Sequence, residues 1–298
     1  MTKENEIIIN GRGTVRAIGR PSTQFDRSTS FLQEARRIEQ EYGIGATEAV
    51  WNVNAPYPNR PIGILLATDI HYGSTKVDYD TLLKHLDIVE NTPNMYMVSN
   101  GDAIDNFNVM LKSATGAYEN PLSPQRQTEA LIEKFKVLDR KKKIGCISFG
   151  NHDDFVGGVG YEFWETWGRD LNMPIFLTGG LLHIIHRSEK YEMAMTHRYW
   201  GSSKLNPTNT AKRYLEHEYP DADIVFIGHT HQSENLTFER GGKERIAIIG
   251  GTYKKDDMFA RKHGIGGRSG APGNTILLYP NERKMISFKH LEDALPHL

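Results

Sequence analysis

The chain has a single cysteine, no apolar run long enough to cross a membrane, and no excess of charge of either sign. Its 298 residues include 36 Lys and Arg against 37 Asp and Glu, which gives a formal net charge of -1. That balance excludes attraction of the whole molecule to nucleic acid or to a membrane surface, so any such binding must use a local patch. We therefore expect no membrane segment and no membrane partner.

A single cysteine also excludes an intramolecular disulfide and gives no sign of an oxidising compartment. Cys146 lies in an apolar run from Ile144 to Phe149, which predicts a buried structural thiol. The first residues show no basic segment followed by an apolar stretch, so we expect no signal peptide and a cytoplasmic location. The aliphatic and aromatic content is ordinary for a globular protein.

The order of apolar and polar segments predicts an N-terminal extension over residues 1–60, packed on a core domain over residues 61–298. The extension has too little apolar content for a core of its own. From Pro61 onward, apolar strands alternate with helices, and a run of strands follows His231. This order predicts an α/β sandwich of two packed sheets, in which the strands after His231 complete the second sheet and leave no separate capping domain.

Five predicted strands end in clusters of Asp, Asn and His. The clusters are Asp69 with His71, Asp102 with Asp105, Asn151 with His152 and Asp153, the single His197, and His229 with His231. Ligands gather at the carboxyl ends of strands in open α/β sheets, so we expect these side chains to meet at one edge. In extended backbone, the alternating pairs Asp69-x-His71 and His229-x-His231 would each present both side chains on one face.

The residue types in these clusters favour a particular chemistry. Carboxylate and imidazole groups together are typical of manganese, iron, zinc or nickel sites, and the candidates outnumber the ligands of one tetrahedral ion. Two ions that share a carboxylate can hold a hydroxide and clamp the oxygens of a phosphate, which predicts hydrolysis of a phosphate ester. The departing alkoxide needs a proton, and histidine can supply one near neutral pH.

The five blocks, in this order from Asp69 to His231, resemble the calcineurin-like metallophosphoesterase superfamily. The resemblance implies a four-layer αββα sandwich of two mixed sheets flanked by helices. It also implies two divalent metal ions, with manganese expected first and iron, zinc or nickel as alternatives. The implied ligands are Asp69, His71, Asp102 and His231 for one metal, and Asp102, Asn151, His197 and His229 for the other.

The same resemblance assigns roles to the remaining residues of the blocks. Asp102 would bridge the two metals, and His152 would be the general acid that also stabilises the phosphate. Asp153 would orient His152. Asp105 would support a ligand without binding metal itself.

Differences from individual branches of this superfamily reduce the number of functions that fit the sequence. Phosphoprotein phosphatases have an arginine where Phe149 stands, and purple acid phosphatases have a tyrosine ligand where this chain has Asp105. The sequence is more similar to the prokaryotic or phage phosphodiesterase branch, which includes repair exonucleases. This resemblance implies a phosphodiesterase or nuclease that acts on DNA, RNA or a nucleotide. The alternatives are a phosphomonoesterase for a small molecule or protein, and a metal-bound scaffold that binds without turnover.

Aromatic and basic residues close to the blocks are candidates for substrate contacts. Phe107, Tyr199 and Trp200 follow predicted ligands, where they would stack a base or simply pack in the core. Arg261 and Arg268 lie in a basic, glycine-rich segment that would hold substrate phosphates or form a solvated loop. The sequence leaves the oligomeric state open, a dimer included.

Overall fold

The structure is a computed structural model that describes residues 16–17, 47–106, 119–154, 163–203, 205–256 and 270–298. Within these residues the strands form two mixed sheets. The larger sheet contains, in spatial order, β1 (Arg16–Ala17), β2 (Glu48–Asn52), β7 (Gly180–His186), β8 (Glu189–Thr196), β9 (Ile224–Ile227), β11 (Lys243–Ile249) and β10 (Glu234–Arg240). The smaller sheet contains β13 (Met285–Phe288), β12 (Thr275–Leu278), β3 (Ile62–Ala67), β4 (Met95–Asn100), β5 (Ile144–Ser148) and β6 (Ile175–Phe176).

The central strands of the smaller sheet are apolar over most of their length because both faces of that sheet are covered. Every residue of β3, β4 and β5 is buried. These strands run parallel to one another, so their carboxyl ends lie at the same edge. The register between β3 and β4 pairs Ala67 with Ser99, which places the segments that follow the two strands side by side.

Helices cover the outer faces of both sheets. The described helices are α1 (Tyr79–Asn91), α2 (Pro124–Arg140), α3 (Asn151–Asp154), α4 (Phe163–Asp170), α5 (Asn209–His217) and α6 (Leu291–Ala294), followed by a 3₁₀ helix at Leu295–His297. Helix α2 begins with a capping residue that is followed by proline. Ser123 accepts a hydrogen bond from the backbone N–H of Arg126 at 3.4 Å, and Pro124 occupies the first turn.

The apolar core forms three clusters that separate four layers of structure. The cluster between the sheets includes Leu66 from the smaller sheet and Phe226 from the larger one. A second cluster packs Phe135 of α2 against the outer face of the smaller sheet. A third packs Tyr214 and Leu215 of α5 against the outer face of the larger sheet. The order helix, sheet, sheet, helix confirms the predicted αββα sandwich.

The strands after His231 do not all join the second sheet, so that prediction was wrong. β10 and β11 extend the larger sheet, whereas β12 pairs antiparallel with β3 and β13 pairs with β12 in the smaller one. The physical reason is that β3 has an open side that β12 can fill. A sequence pattern of short apolar strands does not show which sheet each strand will join.

Part of the N-terminal region lies within the larger sheet. β2 pairs with both β1 and β7, and Trp51 packs in the cluster between the sheets. Apolar residues alternate along β2 in the sequence. The turn-forming residues that follow it directly make this strand hard to recognise from the sequence. The boundary proposed at residue 60 stays a prediction.

Cys146 lies in the cluster between the sheets and is fully buried, which confirms the prediction of a structural thiol. Burial raises the pKa of this thiol, so it stays protonated and unreactive. Among the helices described, none combines the length and the apolar character that a membrane crossing requires.

Candidate metal centre

The five predicted blocks come from both sheets and meet at one edge of the sandwich. Three of them follow β3, β4 and β5 of the smaller sheet, and two follow β8 and β9 of the larger one. Asn100, the last residue of β4, links the sheets at this edge. Its side-chain amide donates to the carbonyls of Thr196 and Phe226, both at 3.0 Å. The ends of strands from two sheets are thereby held in a fixed relation.

The segments after β3 and β4 run beside each other and carry three of the predicted ligands. The backbone N–H of Asp69 donates to Gly101 at 3.1 Å, and that of His71 donates to Asp102 at 2.9 Å. A short parallel bridge between Tyr72 and Ile104 continues this pairing. Asp69, His71 and Asp102 therefore lie close together because two loops are hydrogen-bonded along their length.

The backbone at the predicted ligands is left-handed rather than extended. The residues concerned are Asp69, His71, Asp102, His229 and His231, with φ angles from 49° to 68°. The prediction that extended backbone brings each alternating pair onto one face was therefore wrong in its reason, although each pair does reach the cluster. Residues other than glycine rarely adopt this conformation, and Asp, Asn and His tolerate it better than most. Such strain is concentrated at functional sites.

Two glycines of the blocks leave space for the predicted ligands. Gly101 has a φ of +80°, and a Cβ at this position would overlap the ring of His197. A Cβ on Gly150 would overlap the carboxylate and backbone of Asp102. Both positions therefore need a residue without a side chain, which accounts for the glycine that opens each block.

Side-chain atoms of the blocks form three overlapping groups, each with its ligand atoms within 4.8 Å of one another. The groups are Asp69 with His71 and His231, His71 with Asp102 and His152, and Asp102 with His197 and His229. Asp102 belongs to two of the groups. The closest approaches include His71 Nε2 to His231 Nε2 at 3.1 Å and His197 Nε2 to Asp102 Oδ2 at 3.1 Å. The first and third groups together contain six of the seven predicted ligands.

Two histidines of the cluster each have a polar neighbour at Nδ1. Their other ring nitrogen, Nε2, faces the cluster. His71 Nδ1 lies 2.8 Å from Asp105 Oδ1, and His197 Nδ1 lies 2.9 Å from the carbonyl of Asn100. An acceptor at Nδ1 keeps a ring proton there, so that Nε2 is the nitrogen that can offer a lone pair to a metal once it carries no proton. Metal-binding histidines commonly have this arrangement, with a carboxylate or a carbonyl holding the other nitrogen.

Unsatisfied atoms in the cluster also fit cations. The side-chain oxygen of Asn151 is buried and has no hydrogen-bond partner among the described residues. Asp69 Oδ1 and His197 Nε2 likewise lack an oriented hydrogen bond, and their near neighbours are other members of the cluster. Buried polar atoms are normally paired, so a concentration of such atoms fits a site that binds a polar or charged ligand. Oxygen and nitrogen donors of these types suit a divalent transition metal.

The charges of the cluster also favour a bound cation. Burial raises the pKa of Asp69, but attraction to His197 and His231 outweighs burial and lowers it to about 2. Burial lowers the pKa of His197, yet the Asp102 and Asp69 carboxylates outweigh burial and raise it to about 10. The ionised carboxylates therefore hold a proton on His197, and a metal ion would take the place of that positive charge.

Other histidines of the cluster are held in the neutral form that binds metal. Burial lowers the pKa of His71 to about 4, with the Asp105 hydrogen bond opposing the shift. Burial also lowers the pKa of His229, and the neighbouring His197 lowers it further. Neutral imidazole is the form that donates a lone pair to a metal.

His152 lies at the rim of the cluster. Its Nδ1 faces the backbone carbonyl of Asp105 at 2.5 Å, and its Nε2 lies 4.0 Å from Asp102 Oδ2. The ring contacts the ring of His71 edge-on, with 4.6 Å between the centroids. Its side chain is 13% exposed, so Nε2 faces the cluster from a position that solvent and substrate can reach.

Asp153 contacts the backbone beneath the cluster. Its buried carboxylate accepts hydrogen bonds from the N–H groups of Gly150 at 2.7 Å, Ala103 at 3.1 Å and Ile104 at 3.3 Å. Burial and the neighbouring Asp102 carboxylate raise the pKa of Asp153 to about 7. The ring of His152 has its Nδ1 partner in Asp105 instead, so any effect of Asp153 on that ring passes through the backbone that it holds.

A set of polar residues that the sequence did not predict surrounds Asp105. Lys254 is buried, and its Nζ lies 2.6 Å from Asp105 Oδ1, the same oxygen that His71 contacts. Asn120 donates to Asp105 Oδ2 at 2.7 Å and is itself held by Gln127 at 2.8 Å. Nothing in the spacing of these residues links them to the blocks. Lysine is seldom buried without a partner, so its ion pair with Asp105 is the feature that identifies it.

Replacing Lys254 with methionine is expected to weaken metal binding by about ten-fold, because groups that orient a ligating histidine typically contribute that much. The substitution leaves the Asp105 carboxylate without its cation, and so loosens the hold of that carboxylate on His71. Competition with a chelating dye measures the affinity. Lys255→Met is the matched control, since that lysine is 71% exposed and pairs with Asp78. Equal affinities in the two variants would rule out this role for Lys254.

A cleft adjoins the cluster on the side of His229. Its volume is about 480 Å³, and the residues that line it include Arg198, Tyr199, Trp200, Thr210, His229 and Thr230. Two of the predicted substrate residues, Tyr199 and Trp200, are thus placed beside a predicted ligand. Phe107, Arg261 and Arg268 lie outside the described residues.

Comparison with known structures finds similar folds at low identity. Wild-type Vps29 complexed with Zn²⁺ from Entamoeba histolytica is 14% identical, with a TM-score of 0.39, covering 76% of this chain and 98% of its own. A predicted phosphoesterase from Streptococcus pneumoniae is 14% identical, with a TM-score of 0.36 and coverage of 76% and 98%. Nuclease MPE from Pseudomonas putida is 13% identical, with a TM-score of 0.33 and coverage of 76% and 87%. No curated protein sequence matches the chain.

The fold and the cluster together define an α/β sandwich protein with an edge built from Asp, Asn and His, whose side chains fit divalent metal ions. The model of the calcineurin-like phosphoesterase family matches residues 62–233, a range that contains all five blocks. Because this match spans more than half of the chain, the protein belongs to the calcineurin-like phosphoesterase family.

Proposed function

We propose that the protein is a two-metal phosphoesterase that hydrolyses a phosphodiester in nucleic acid or a nucleotide. The observation that carries this proposal is the set of overlapping Asp and His groups that share Asp102, with His152 at their rim. Membership of a phosphoesterase family supports the same reaction class. Manganese is the proposed metal, and iron, zinc and nickel fit the same donors.

In this proposal Asp102 is shared between two ligand sets. The first set is Asp69, His71, Asp102 and His231, and the second is Asp102, Asn151, His197 and His229. The grouping of Asp69, His71 and His231 supports the first set, and that of Asp102, His197 and His229 supports the second. The unpaired buried oxygen of Asn151 supports its place in the second set.

Two bound divalent ions supply charge stabilisation for the phosphate oxygens and an activated water as nucleophile. The side chains of the protein donate the proton and hold the site in position. His152 Nε2 donates a proton to the departing alkoxide from its position at the rim, while the Asp105 carbonyl holds Nδ1 and fixes the ring. The Asp105 carboxylate orients His71, and Asp153 fixes the backbone of residues 103, 104 and 150.

The cleft beside His229 supports a diester over a monoester. A phosphodiester has a substituent on each side of the phosphorus, and the second substituent needs space next to the metal cluster. A cleft of about 480 Å³ that continues from His229 to Trp200 supplies such space. Arg198 lines it and adds a positive charge for an anionic substrate.

A substrate panel with Mn²⁺ tests the proposal. The panel compares bis-p-nitrophenyl phosphate, p-nitrophenyl phosphate, cyclic nucleotides, and single- and double-stranded DNA. We expect kcat/KM for the diester to exceed that for the monoester by at least about ten-fold. This is the discrimination that contacts in one binding pocket typically provide. Chelator-treated protein is the control and should be inactive until Mn²⁺ is restored. Preference for the monoester would identify a phosphomonoesterase, and metal binding without any turnover would identify a scaffold.

A further inference from the structure

We propose that the ring of Trp200 is a stacking platform for a nucleobase of the substrate. The inference rests on the proposed function, and it specifies the group that occupies the cleft beside the metal cluster. That group is the base of the nucleoside esterified to the phosphate under attack.

Position is the first observation that supports this platform. Trp200 lines the same cleft as Gly228, His229 and Thr230, the segment that follows β9. A group stacked on Trp200 is therefore next to a predicted metal ligand. A phosphate at the cluster and a base at Trp200 fit one nucleotide spanning the two, because His229 and Trp200 line the same cleft.

Exposure of the ring is the second observation. Trp200 is 57% exposed, whereas Trp51 and Trp167 are buried in the core. Exposed tryptophan that rests in a cleft is characteristic of recognition sites, where the ring supplies a large rigid contact area. Core packing, the other interpretation of this residue, is excluded by that exposure.

The ring is held in place before any ligand binds. The guanidinium of Arg213 lies over it at 4.7 Å from the centroid, and the ring of His217 stacks against it at 5.6 Å with an interplanar angle of 29°. These two residues are one turn apart on α5, so the ring rests on one side of that helix. A pre-positioned platform loses little conformational freedom on binding.

Two threonines that line the cleft are the third observation. The side-chain oxygens of Thr210 and Thr230 are buried and have no hydrogen-bond partner among the described residues. Buried hydroxyls without partners indicate a ligand that supplies them. Hydroxyls both donate and accept, and every base has a face that can stack, so the platform is expected to bind all bases with little discrimination.

The test compares two diesters that share a leaving group. Thymidine 5′-(p-nitrophenyl phosphate) carries a base, and methyl p-nitrophenyl phosphate does not. In the Trp200→Ala protein, we expect the ratio of kcat/KM for the thymidine ester to that for the methyl ester to fall about ten-fold, the loss typical of one stacked base, with the change mainly in KM. Trp200→Phe should retain most of the ratio, because its ring still stacks.

Tyr57→Ala is the matched control. Tyr57 is also an exposed aromatic residue, 51% exposed, with an arginine over its ring, but it lies at the opposite edge of the sheet, where its backbone N–H donates to Asn94. The ratio should be unchanged in this variant. A ratio that is equally unchanged in Trp200→Ala would overturn the platform while leaving the proposed hydrolysis intact.

A binding measurement separates the two proposals further. Thymidine 5′-monophosphate should quench the tryptophan fluorescence of the metal-loaded protein, whereas inorganic phosphate at the same concentration should not, since phosphate has no base to stack on Trp200. Loss of the quenching in Trp200→Phe supports the platform even if no ester is hydrolysed. Quenching no greater than that of phosphate would overturn it.

Discussion

Asp102→Asn is expected to reduce the metal content of the protein and to slow diester hydrolysis by at least about 1,000-fold, since a bound metal contributes several kcal/mol of transition-state stabilisation. The substitution removes a negative charge that lies 3.1 Å from His197 Nε2 and 3.8 Å from His71 Nε2. Because those histidines belong to different proposed ligand sets, the loss should affect both metals.

Elemental analysis and kinetics together test this result. Asparagine has the size of aspartate and tolerates the left-handed backbone at position 102, so the fold should persist. Asp139→Asn is the matched control, because Asp139 is also a buried carboxylate but is hydrogen-bonded to Asn172 at 3.1 Å, at the other end of the strands. Two metals retained at full occupancy in Asp102→Asn would show that Asp102 is not the bridge.

His152→Ala is expected to slow hydrolysis by about 10²- to 10⁴-fold with both metals still bound, the range typical for loss of a general acid. The effect should be largest for esters with poorly departing alkoxides, such as DNA. It should be smaller for p-nitrophenyl esters, whose leaving group needs little protonation. The measurement is the ratio of the two rates in each protein, and His290→Ala, at an exposed position, is the control.

The same variant decides between two roles for His152. Its ring nitrogen lies within 4.8 Å of ligand atoms of His71 and Asp102, a grouping that would also suit a metal ligand. Loss of a metal in His152→Ala would identify it as a ligand. If the metals are retained and the rate falls equally for good and poor leaving groups, His152 has no role in proton transfer.

The sequence predicts which residues meet because strand ends are easily recognised. Apolar runs such as residues 62–67 and 95–100 are buried at every position, and the residues after them fall at one edge of a parallel sheet. The meeting of the three blocks of the smaller sheet therefore follows from strand order, whereas the two blocks of the larger sheet join them because the two sheets pack together and are linked through Asn100. Helix α2 was equally predictable, since Ser123 and Pro124 mark its start locally.

The local geometry of the ligands could not be predicted in the same way. The left-handed backbone at Asp69 and His71 goes with hydrogen bonds to Gly101 and Asp102, which lie about thirty residues further along the chain. Lys254 reaches Asp105 across 149 positions of sequence. Pairings of this kind depend on the assembled sandwich, so no local pattern shows them.

The left-handed backbone at the proposed ligands also restricts which substitutions the fold can accept. At Asp69, His71, Asp102, His229 and His231, asparagine and glycine are the replacements that best keep the loop shape, and asparagine also keeps a side chain of similar size to aspartate. Branched residues would strain the loops and disturb the sandwich edge. Asparagine at these positions would therefore change the charge of the cluster and its affinity for a cation while the sandwich stays folded, so binding and catalysis could be lost without loss of the fold.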